Sequence, residues 1–310
     1  MIKIYAPASI GNVGVGFDIL GAAITPINNT LLGDIITIKS SHKFQLTNTG
    51  QFSQEIPQSQ KENIVWKACS LFFKKIHKKK NKIHIILQKN LPISSGLGSS
   101  ASSIVSTLVA LNTLFNKPLN RNKLLKIMGS LEGKISGEKH YDNVAPSYLG
   151  GMQLILNTKK NISKKIPYFK EWFWIIAWPG TKLSTEKSRS ILPNLYKRKT
   201  CIQYGKNISK FLYSSYTKRS DLAISSIKDV IAEPFRKKLI HGFIQHKKNL
   251  KKIGSLAHGI SGSGPTLFSI TTNKQNAKKI QNYFLENYIQ TKEGFSHICK
   301  IDSFGAREIG

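Results

Sequence analysis

The residue types that could perform chemistry are concentrated between residues 91 and 114, which read LPISSGLGSSASSIVSTLVALNTL. Gly96 and Gly98 interrupt the chain there, and the serine-rich stretch 99–103 follows. Glycine lets the backbone approach a ligand closely, and the first N–H groups of a helix are unpaired at the positive end of its dipole. These residues predict a cradle for phosphate.

A strand before the cradle and a helix after it would hold it in place. The β-branched run Ile83–Leu87 predicts the strand, and Pro92 interrupts it. Apolar residues recur at helical spacing from Ile104 to Leu114, which predicts a helix that begins among the serines. The alternative is a glycine turn that only caps a core helix, and the density of serines argues against it.

Two other phosphate-binding patterns are excluded by what the sequence lacks. The P-loop pattern ends in Gly-Lys-Ser/Thr, and no lysine follows Gly98 directly. Gly96–Ala101 satisfies the relaxed dinucleotide pattern GxGxxA, but that fold needs an acidic residue about 20 positions later to hold the ribose. The sequence has no Asp or Glu between Glu62 and Glu132, so the dinucleotide interpretation fails.

Length and composition limit the class of protein. A chain of 310 residues can bury a full core and is long enough for two domains. The longest apolar run, Trp172–Trp178, has the length of a strand, and the N-terminus has no apolar signal segment. Cys69, Cys201 and Cys299 lack metal-ligand spacing. We therefore expect a cytoplasmic protein without a membrane partner.

The formal net charge of +31 raises the question of a nucleic-acid partner. A nucleic-acid binder would concentrate its lysines on one surface and add aromatic residues or a known module. Here lysine is spread through every segment, and the densest run, 74–82, closes an amphipathic helix. We favour a compositional bias over a specific nucleic-acid surface, and basic RNA binding stays a weaker alternative.

The rest of the chain gives a pattern of further elements. Strands are predicted over 2–6, 32–39, 152–156, 172–178, 257–260, 266–271 and 296–302, and helices over 62–76, 121–131, 185–192 and 277–289, with more helices between 200 and 252. The segment 7–12 is predicted as a loop. The polar run 157–161 is predicted as a domain boundary.

The cradle Pro92-x-x-x-Gly96-Leu97-Gly98-Ser99-Ser100-Ala101 resembles the ATP-binding motif of the GHMP kinases. Three further stretches resemble the branch of that family that phosphorylates L-homoserine. They are 5–21 (YAPAS, then Asn12 and VGFDILG), 140–146 (HYDNVAP) and 259–265 (GISGSGP). The matches run from residue 5 to residue 307, so the resemblance covers essentially the whole chain.

The resemblance implies an α+β fold with the two-domain GHMP kinase architecture. Residues 1–160 would form an ATP-binding N-terminal layer like a domain of a small-subunit ribosomal protein, and residues 161–310 a C-terminal ferredoxin-like layer. The predicted C-terminal order of strand, helices, two strands, helix and strand is also that of a split βαβ layer. The family further suggests a homodimer.

The resemblance implies ATP and Mg²⁺ as ligands of the cradle. Ser100 and Glu132 match the positions that hold magnesium in the family, where a hydroxyl and one carboxylate commonly suffice. The alternatives are simple helix capping for Ser100 and a solvated helix end for Glu132. The residues expected to bind ATP are Pro92, Ile93, Ser94, Ser95, Gly96, Leu97, Gly98, Ser99, Ser100, Ala101 and Ser102.

The resemblance also implies a binding site for an amino-acid acceptor. Arg189 and Arg236 match the arginines that hold the substrate carboxylate, for which a guanidinium offers a matching two-donor fork. Asp18 and Asn12 match polar contacts near the amino and hydroxyl groups, and His140 and Thr185 would line the same cleft. The loop 259–265 is expected to shape the site.

Asn143 is a departure from part of the family. It lies eleven positions beyond Glu132, where mevalonate kinase-like members have an aspartate taken as the general base. Asparagine can orient a hydroxyl but cannot hold its proton. The proton would then pass to a phosphate oxygen. Asp142 is the second candidate base, although on an extended stretch it would point to the opposite face.

Together these features predict ATP-dependent phosphorylation of the side-chain hydroxyl of L-homoserine to O-phospho-L-homoserine, a step of threonine biosynthesis. The alternative is a GHMP-type kinase of another small alcohol. Asn143 and the two arginines favour the homoserine branch over mevalonate or galactose as acceptors.

Overall fold

The computed structural model describes residues 1–76, 82–137 and 139–310. Its strands are β1 (Ile2–Pro7), β2 (Ser9–Gly11), β3 (Leu20–Pro26), β4 (Gly33–Ser40), β5 (Gln45–Thr49), β6 (Ile83–Gln88), β7 (Met152–Ile155), β8 (Ser163–Ile166), β9 (Phe173–Trp178), β10 (Ala257–Ile260), β11 (Leu267–Thr271), β12 (Phe295–Ile301) and β13 (Arg307–Glu308). Its helices are α1 (Ile64–Lys75), α2 (Ser99–Leu114), α3 (Arg121–Ser136), α4 (Val144–Leu149), α5 (Thr185–Ser190), α6 (Arg198–Thr217), α7 (Ser220–Ser226), α8 (Glu233–Arg236), α9 (Phe243–Lys252) and α10 (Lys274–Asn287).

One sheet has the strand order β13-β1-β4-β6-β5; α2 packs on its strands β1 and β4, and α1 and α3 pack against α2. In β6, Ile83, Ile85 and Leu87 are buried and alternate with partly exposed neighbours, as expected for a strand with one face on the core. Helix α2 lies at the centre of this layer and contacts β1, β4, α1, α3 and α4. The start of α2 is therefore held on several sides.

The second sheet has the order β10-β11-β9-β12-β3-β7-β8, and β2 pairs with β3. With α10 packed on it, the part β10-β11-β9-β12 has the order and antiparallel pairing of a ferredoxin-like layer, which confirms that expectation. Strand β3 comes from the N-terminal half and pairs with β12. Both halves of the chain therefore build this sheet.

Several elements were missed by the sequence patterns. Strand β2 lies in the segment predicted as a loop, and β3, β5, β8, β13 and α4 were not predicted. Strand β3 is almost wholly buried, so it lacks the polar alternation by which half-buried strands are recognised. Helix α3 extends through Glu132 instead of ending before it.

Two strands of one sheet flank the predicted domain boundary. Strands β7 and β8 pair across the polar segment 157–161, with Met152 opposite Ile166. Sheet pairing thus continues across the predicted division at 160/161, which stays a prediction.

Of the lysine run, residues 77–81 lie outside the described residues. Among the described helices, none combines the length and apolar character needed to cross a membrane.

Gly21 on β3 makes a close approach that no other residue type would permit. A Cβ built there would lie 1.6 Å from the backbone oxygen of Asp142. We expect Gly21→Ala to destabilise the protein by about 1–3 kcal/mol or more, as overpacking does, and to displace Asp142. Urea unfolding measures the change.

Gly205 in α6 is the matched control, because a Cβ there would meet no atom within 4 Å. Gly205→Ala should stabilise the protein by roughly 0.5–1 kcal/mol through the lower chain entropy of the unfolded state. Equal unfolding midpoints for Gly21→Ala and the wild type would contradict the close approach.

Candidate active site

A cleft of about 150 Å³ opens beside the start of α2. It lies where the loop before α2, the turn after β2, the start of α4, helix α5 and the loop between β10 and β11 meet. Its lining residues are Asn12, Asp18, Ile93, Ser94, Ser95, Gly96, Gly98, Ser99, Ser100, Glu132, His140, Asp142, Asn143, Thr185, Arg189, Arg236, Gly262 and Ser263.

The phosphate loop, defined as residues 92–98, requires glycine at two positions. Gly96 and Gly98 have φ angles of 83° and 65°, in the left-handed region. A Cβ on Gly98 would lie 2.1 Å from Ser9 Oγ, and one on Gly96 would lie 2.5 Å from the Ser261 carbonyl oxygen. Gly98 is also the N-cap residue of α2, and a glycine has no side chain with which to cap the first N–H groups of that helix. These groups are thus left to a ligand, as a phosphate cradle requires.

Backbone and hydroxyl hydrogen bonds join the phosphate loop to its neighbours. Ser261 Oγ donates to the Gly96 carbonyl at 2.7 Å, and Thr266 Oγ1 donates to the Ser95 carbonyl at 2.7 Å. The Ser9 amide donates to the Leu97 carbonyl at 3.1 Å. The phosphate loop is therefore hydrogen-bonded to the segments around Ser9 and Ser261, and together these segments line one side of the cleft.

A buried ion pair lies beneath the phosphate loop. Lys89 and Asp34 are 2% and 0% exposed, and Lys89 Nζ donates to Asp34 Oδ2. The same ammonium donates to the Ser99 carbonyl and to Ser103 Oγ, both at 3.1 Å. Asp34 Oδ1 accepts from the Leu91 amide at 3.1 Å. The pair thus connects the residue before the loop with the residue after it.

Ser100 and Glu132 are brought together at one side of the cradle. Ser100 Oγ donates to Glu132 Oε1 at 2.7 Å, so Ser100 does not cap its helix. Glu132 is only 9% exposed, so it is not a solvated helix end. Burial raises the pKa of Glu132 to about 7, opposed by the Ser100 hydrogen bond and the charge of Lys89. A hydroxyl and a carboxylate are the oxygen donors that Mg²⁺ prefers.

Charged groups converge at another part of the cleft. Arg189 donates to both carboxylate oxygens of Asp18, at 3.0 and 3.2 Å, and its Nη2 lies 3.3 Å from His140 Nδ1. The Asp18 amide donates to Asn12 Oδ1 at 2.9 Å, which fixes the turn. Ligand atoms of Asp18, His140 and Asp142 lie within 4.8 Å of one another. The cluster combines negative charge with a guanidinium.

Arg236 is held more tightly than a surface arginine. It is 3% exposed, and its Nε and Nη1 donate to the carbonyls of Ser188 and Gly262 at 3.0 and 2.8 Å. Burial lowers its pKa. Backbone carbonyls use the Nε hydrogen and one Nη1 hydrogen of Arg236, which leaves Nη2 and the second Nη1 hydrogen for a carboxylate, so the two-donor fork stays a prediction.

The orientation expected for Asp142 was wrong. Asp142 and Asn143 both line the cleft, because they lie in a turn before α4 and not on an extended stretch. Asn143 Oδ1 accepts from Ser9 Oγ at 2.9 Å. Burial raises the pKa of Asp142 to about 7, and the charge of Asp18 adds to the shift while Arg189 opposes it.

Not every residue expected to bind ATP reaches the cleft. Leu97 and Ala101 are buried in the apolar cores, and Ser102 Oγ donates to the Ala6 carbonyl at 2.7 Å on the sheet side of α2. Pro92 is also absent from the lining. The other predicted residues, from Asn12 to Arg236, do line the cleft, and their roles remain predictions.

A second cavity of about 280 Å³ adjoins the cradle, and the sequence patterns did not reveal it. It shares Ile93, Ser99 and Ser100 with the cleft. Its other lining residues are Ile56, Pro57, Glu62, Asn63, Ile64, Lys67, Leu87, Lys89, Ser103 and Lys134. These residues come from separated elements and form no local motif, so spacing along the chain gave no signal.

Comparison with known proteins gives consistent matches over the whole chain. Residues 63–151 match the family model "GHMP kinases N terminal domain", and residues 225–290 match "GHMP kinases C terminal". The homoserine kinase of Buchnera aphidicola subsp. Cinara cedri (strain Cc) is 59% identical over 309 residues, which cover 100% of this chain and 98% of that protein. The homoserine kinase of Buchnera aphidicola subsp. Schizaphis graminum (strain Sg) is 57% identical over 310 residues, 100% of both chains.

A solved structure agrees with these matches. The crystal structure of homoserine kinase from Cytophaga hutchinsonii superposes with a TM-score of 0.88 at 29% identity, and the match covers 99% of this chain and 97% of that one. The predicted family and the α+β GHMP kinase fold class are therefore confirmed.

The raised pKa of Glu132 predicts how the free energy of unfolding depends on pH. The usual pKa of this carboxyl group is 4.5. Between pH 4.5 and about pH 7, Glu132 therefore holds a proton in the folded state that it has lost in the unfolded state. The charged carboxylate is thus unfavourable in the fold above pH 7. We expect Glu132→Gln to be more stable than the wild type at pH 8 by roughly 2–3 kcal/mol, and the gain to disappear near pH 4.5.

Denaturant unfolding at pH 8 and pH 5 measures this difference, and the gain at pH 5 should be the smaller one. Glu286→Gln, at an exposed position of α10, is the control and should change little at either pH. A Glu132→Gln variant that gains no stability at pH 8 would contradict the buried, charged carboxylate.

Proposed function

Since the chain belongs to the GHMP kinases and to the homoserine kinases among them, we propose that it transfers the γ-phosphate of ATP to the side-chain hydroxyl of L-homoserine. The product would be O-phospho-L-homoserine, on the way to threonine. The observation that carries the proposal is one cleft that joins a phosphate cradle and a buried carboxylate to two arginines and an acidic cluster.

ATP would occupy both cavities. Its phosphates would accept hydrogen bonds from the uncapped N–H groups at the start of α2 and from the phosphate loop. The adjoining cavity, with Ile56 and Leu87 among its apolar lining and Asn63 among its polar lining, has the mixed character that a nucleoside needs. Ser99 and Ser100, which line both cavities, would lie beside the phosphates.

Mg²⁺ would be held by Ser100 and Glu132. Their oxygens are adjacent at 2.7 Å, and the carboxylate is a hard donor in a partly dry position, so the residues fit the ion. When bound, the metal would neutralise charge on the phosphate oxygens. Without the ion, burial holds the pKa of Glu132 near 7, and binding of the ion would displace the proton from the carboxyl group.

The amino acid would bind at the charged end of the cleft. Its carboxylate would reach Arg189 and the remaining Nη2 of Arg236, and its ammonium would lie near Asp18, His140 and Asp142. Asn12 would support this contact through the Asp18 amide, and Thr185 would close the side of the cleft. Mevalonate and galactose carry no ammonium, which weighs against these two alcohols as acceptors.

Asn143 would orient the hydroxyl for in-line attack. Its Oδ1 is already fixed by Ser9, and an amide cannot take the proton. The proton would therefore pass to a phosphate oxygen, as a loose transition state allows. Asp142, whose pKa is near 7, and His140 lie in the same cleft, so one of these two residues would take the proton if any residue does.

A coupled ATPase assay with homoserine, mevalonate, galactose and serine as acceptors tests the proposal. We expect homoserine to support turnover far above the others. Preferred use of mevalonate or galactose would favour a different GHMP kinase. We further expect a homodimer and a cytoplasmic location, and basic RNA binding is the weaker alternative.

Substitutions at 142 and 143 separate the two routes for the proton. If Asn143 only orients the hydroxyl, Asn143→Ala should raise the activation free energy by the contribution of about one hydrogen bond, 0.5–1.5 kcal/mol. This corresponds to a fall in kcat of roughly 2- to 13-fold. Asn143→Asp should give no gain, because it adds negative charge beside the γ-phosphate.

Asp142→Asn provides the comparison in the same assay. A general base typically contributes about 10²- to 10⁴-fold. A loss of that size for Asp142→Asn, together with loss of an ionisation near pH 7 from the kcat profile, would overturn the base-free route.

A further inference from the structure

Phe17 has no assigned role, although it lies in the turn that presents Asp18. The guanidinium carbon of Arg236 lies 5.3 Å from the centroid of the Phe17 ring, and that of Arg189 lies 5.7 Å from it. Phe17 is not among the residues that line the cleft. One aromatic ring is therefore shared by both arginines of the site.

The position of the ring is fixed by the turn around it. Tyr204 on α6 donates its hydroxyl hydrogen to the Phe17 carbonyl at 2.8 Å. Gly16 has a φ of 76°, and a Cβ there would lie 2.7 Å from Leu20 Cγ, so the turn admits only glycine before Phe17. The Asp18 amide is held by Asn12. The ring thus has backbone anchors on both sides.

The two arginines carry like charges in one cleft, and the Phe17 ring is a contact that both share. Burial lowers the pKa of Arg236 and the charge of Arg189 adds to this shift, while the charges of Asp229, Asp18 and Asp142 oppose it. Arg189 is balanced by Asp18, whereas the hydrogen bonds of Arg236 go to neutral carbonyls. The face of an aromatic ring is electronegative and attracts a guanidinium, most strongly where water is excluded.

We propose that Phe17 is a positioning residue for the substrate carboxylate, whose ring holds Arg189 and Arg236 at the spacing that lets both contact one carboxylate. The inference rests on the proposed homoserine kinase activity and deepens its account of the acceptor site. Phe17 acts through the arginines and not on the reacting atoms, so its loss affects capture of homoserine and not phosphoryl transfer.

Fluorinated phenylalanines at position 17 test the proposal, because each fluorine weakens the ring's attraction for cations while its shape is nearly kept. Across mono-, di- and trifluorophenylalanine, KM for homoserine should rise stepwise, by roughly 5- to 30-fold in total. The KM for ATP and the kcat should stay within about 2-fold of the wild-type values, because the substitutions weaken only the binding of homoserine. Phe17→Leu should match or exceed the trifluoro effect.

Phe173 provides the matched control. Its ring lies 3.5 Å from Lys300 Nζ, a cation–ring contact outside the cleft. The same fluorinated series there should leave both KM values unchanged. Thermal unfolding of each variant verifies that the fold is kept.

The outcomes separate the two proposals. A wild type that phosphorylates homoserine, with a KM that stays flat across the fluorinated series, would overturn the role of Phe17 alone and make its ring simple packing. A fall in kcat without a rise in KM would overturn it as well. A wild type without homoserine turnover would overturn the proposed function, and the role of Phe17 with it.

Discussion

The ion pair between Asp34 and Lys89 is the interaction on which the phosphate loop depends. Removing both charges from water is costly, and such a pair persists only where further hydrogen bonds satisfy the remaining donors and acceptors. Here the ammonium reaches a carboxylate, a carbonyl and a hydroxyl, and the carboxylate accepts from two amides at the base of the loop. The phosphate loop includes two glycines and can still have a fixed shape. The residues that flank it, Leu91 and Ser99, both hydrogen-bond to this buried ion pair.

The cleft also depends on the way the two halves of the chain share their sheets. Strand β3 joins the C-terminal sheet, and the turn between β2 and β3 carries Asp18 to the arginine on α5. In a chain of net charge +31 with 16 acidic residues, three of these residues line the cleft: Asp18, Glu132 and Asp142. The lysines elsewhere would attract anionic ATP mainly as an effect on the rate of encounter.

The sequence predicted those parts of the site that are local in the chain. Glycines and serines before an amphipathic helix suffice to indicate a phosphate loop, because one backbone turn makes the site. Single arginines at 189 and 236 carry no such pattern, so only the family resemblance singled them out. The pairing of Asp34 with Lys89, the ring of Phe17 beneath two arginines and the cavity around Asn63 join residues far apart in sequence. Asp142 was misplaced because a turn, and not an extended strand, precedes α4.

The central claim is that one cleft holds the phosphates at the phosphate loop and the amino acid at the two arginines. A crystal structure of the protein with Mg²⁺, a non-hydrolysable ATP analogue and L-homoserine tests it most directly. We expect the phosphates on loop 92–98, the homoserine carboxylate on Arg189 and Arg236, and its hydroxyl beside Asn143 and pointing at the γ-phosphorus. Homoserine bound with its carboxylate away from both arginines, or with its hydroxyl turned from the γ-phosphorus, would contradict the account.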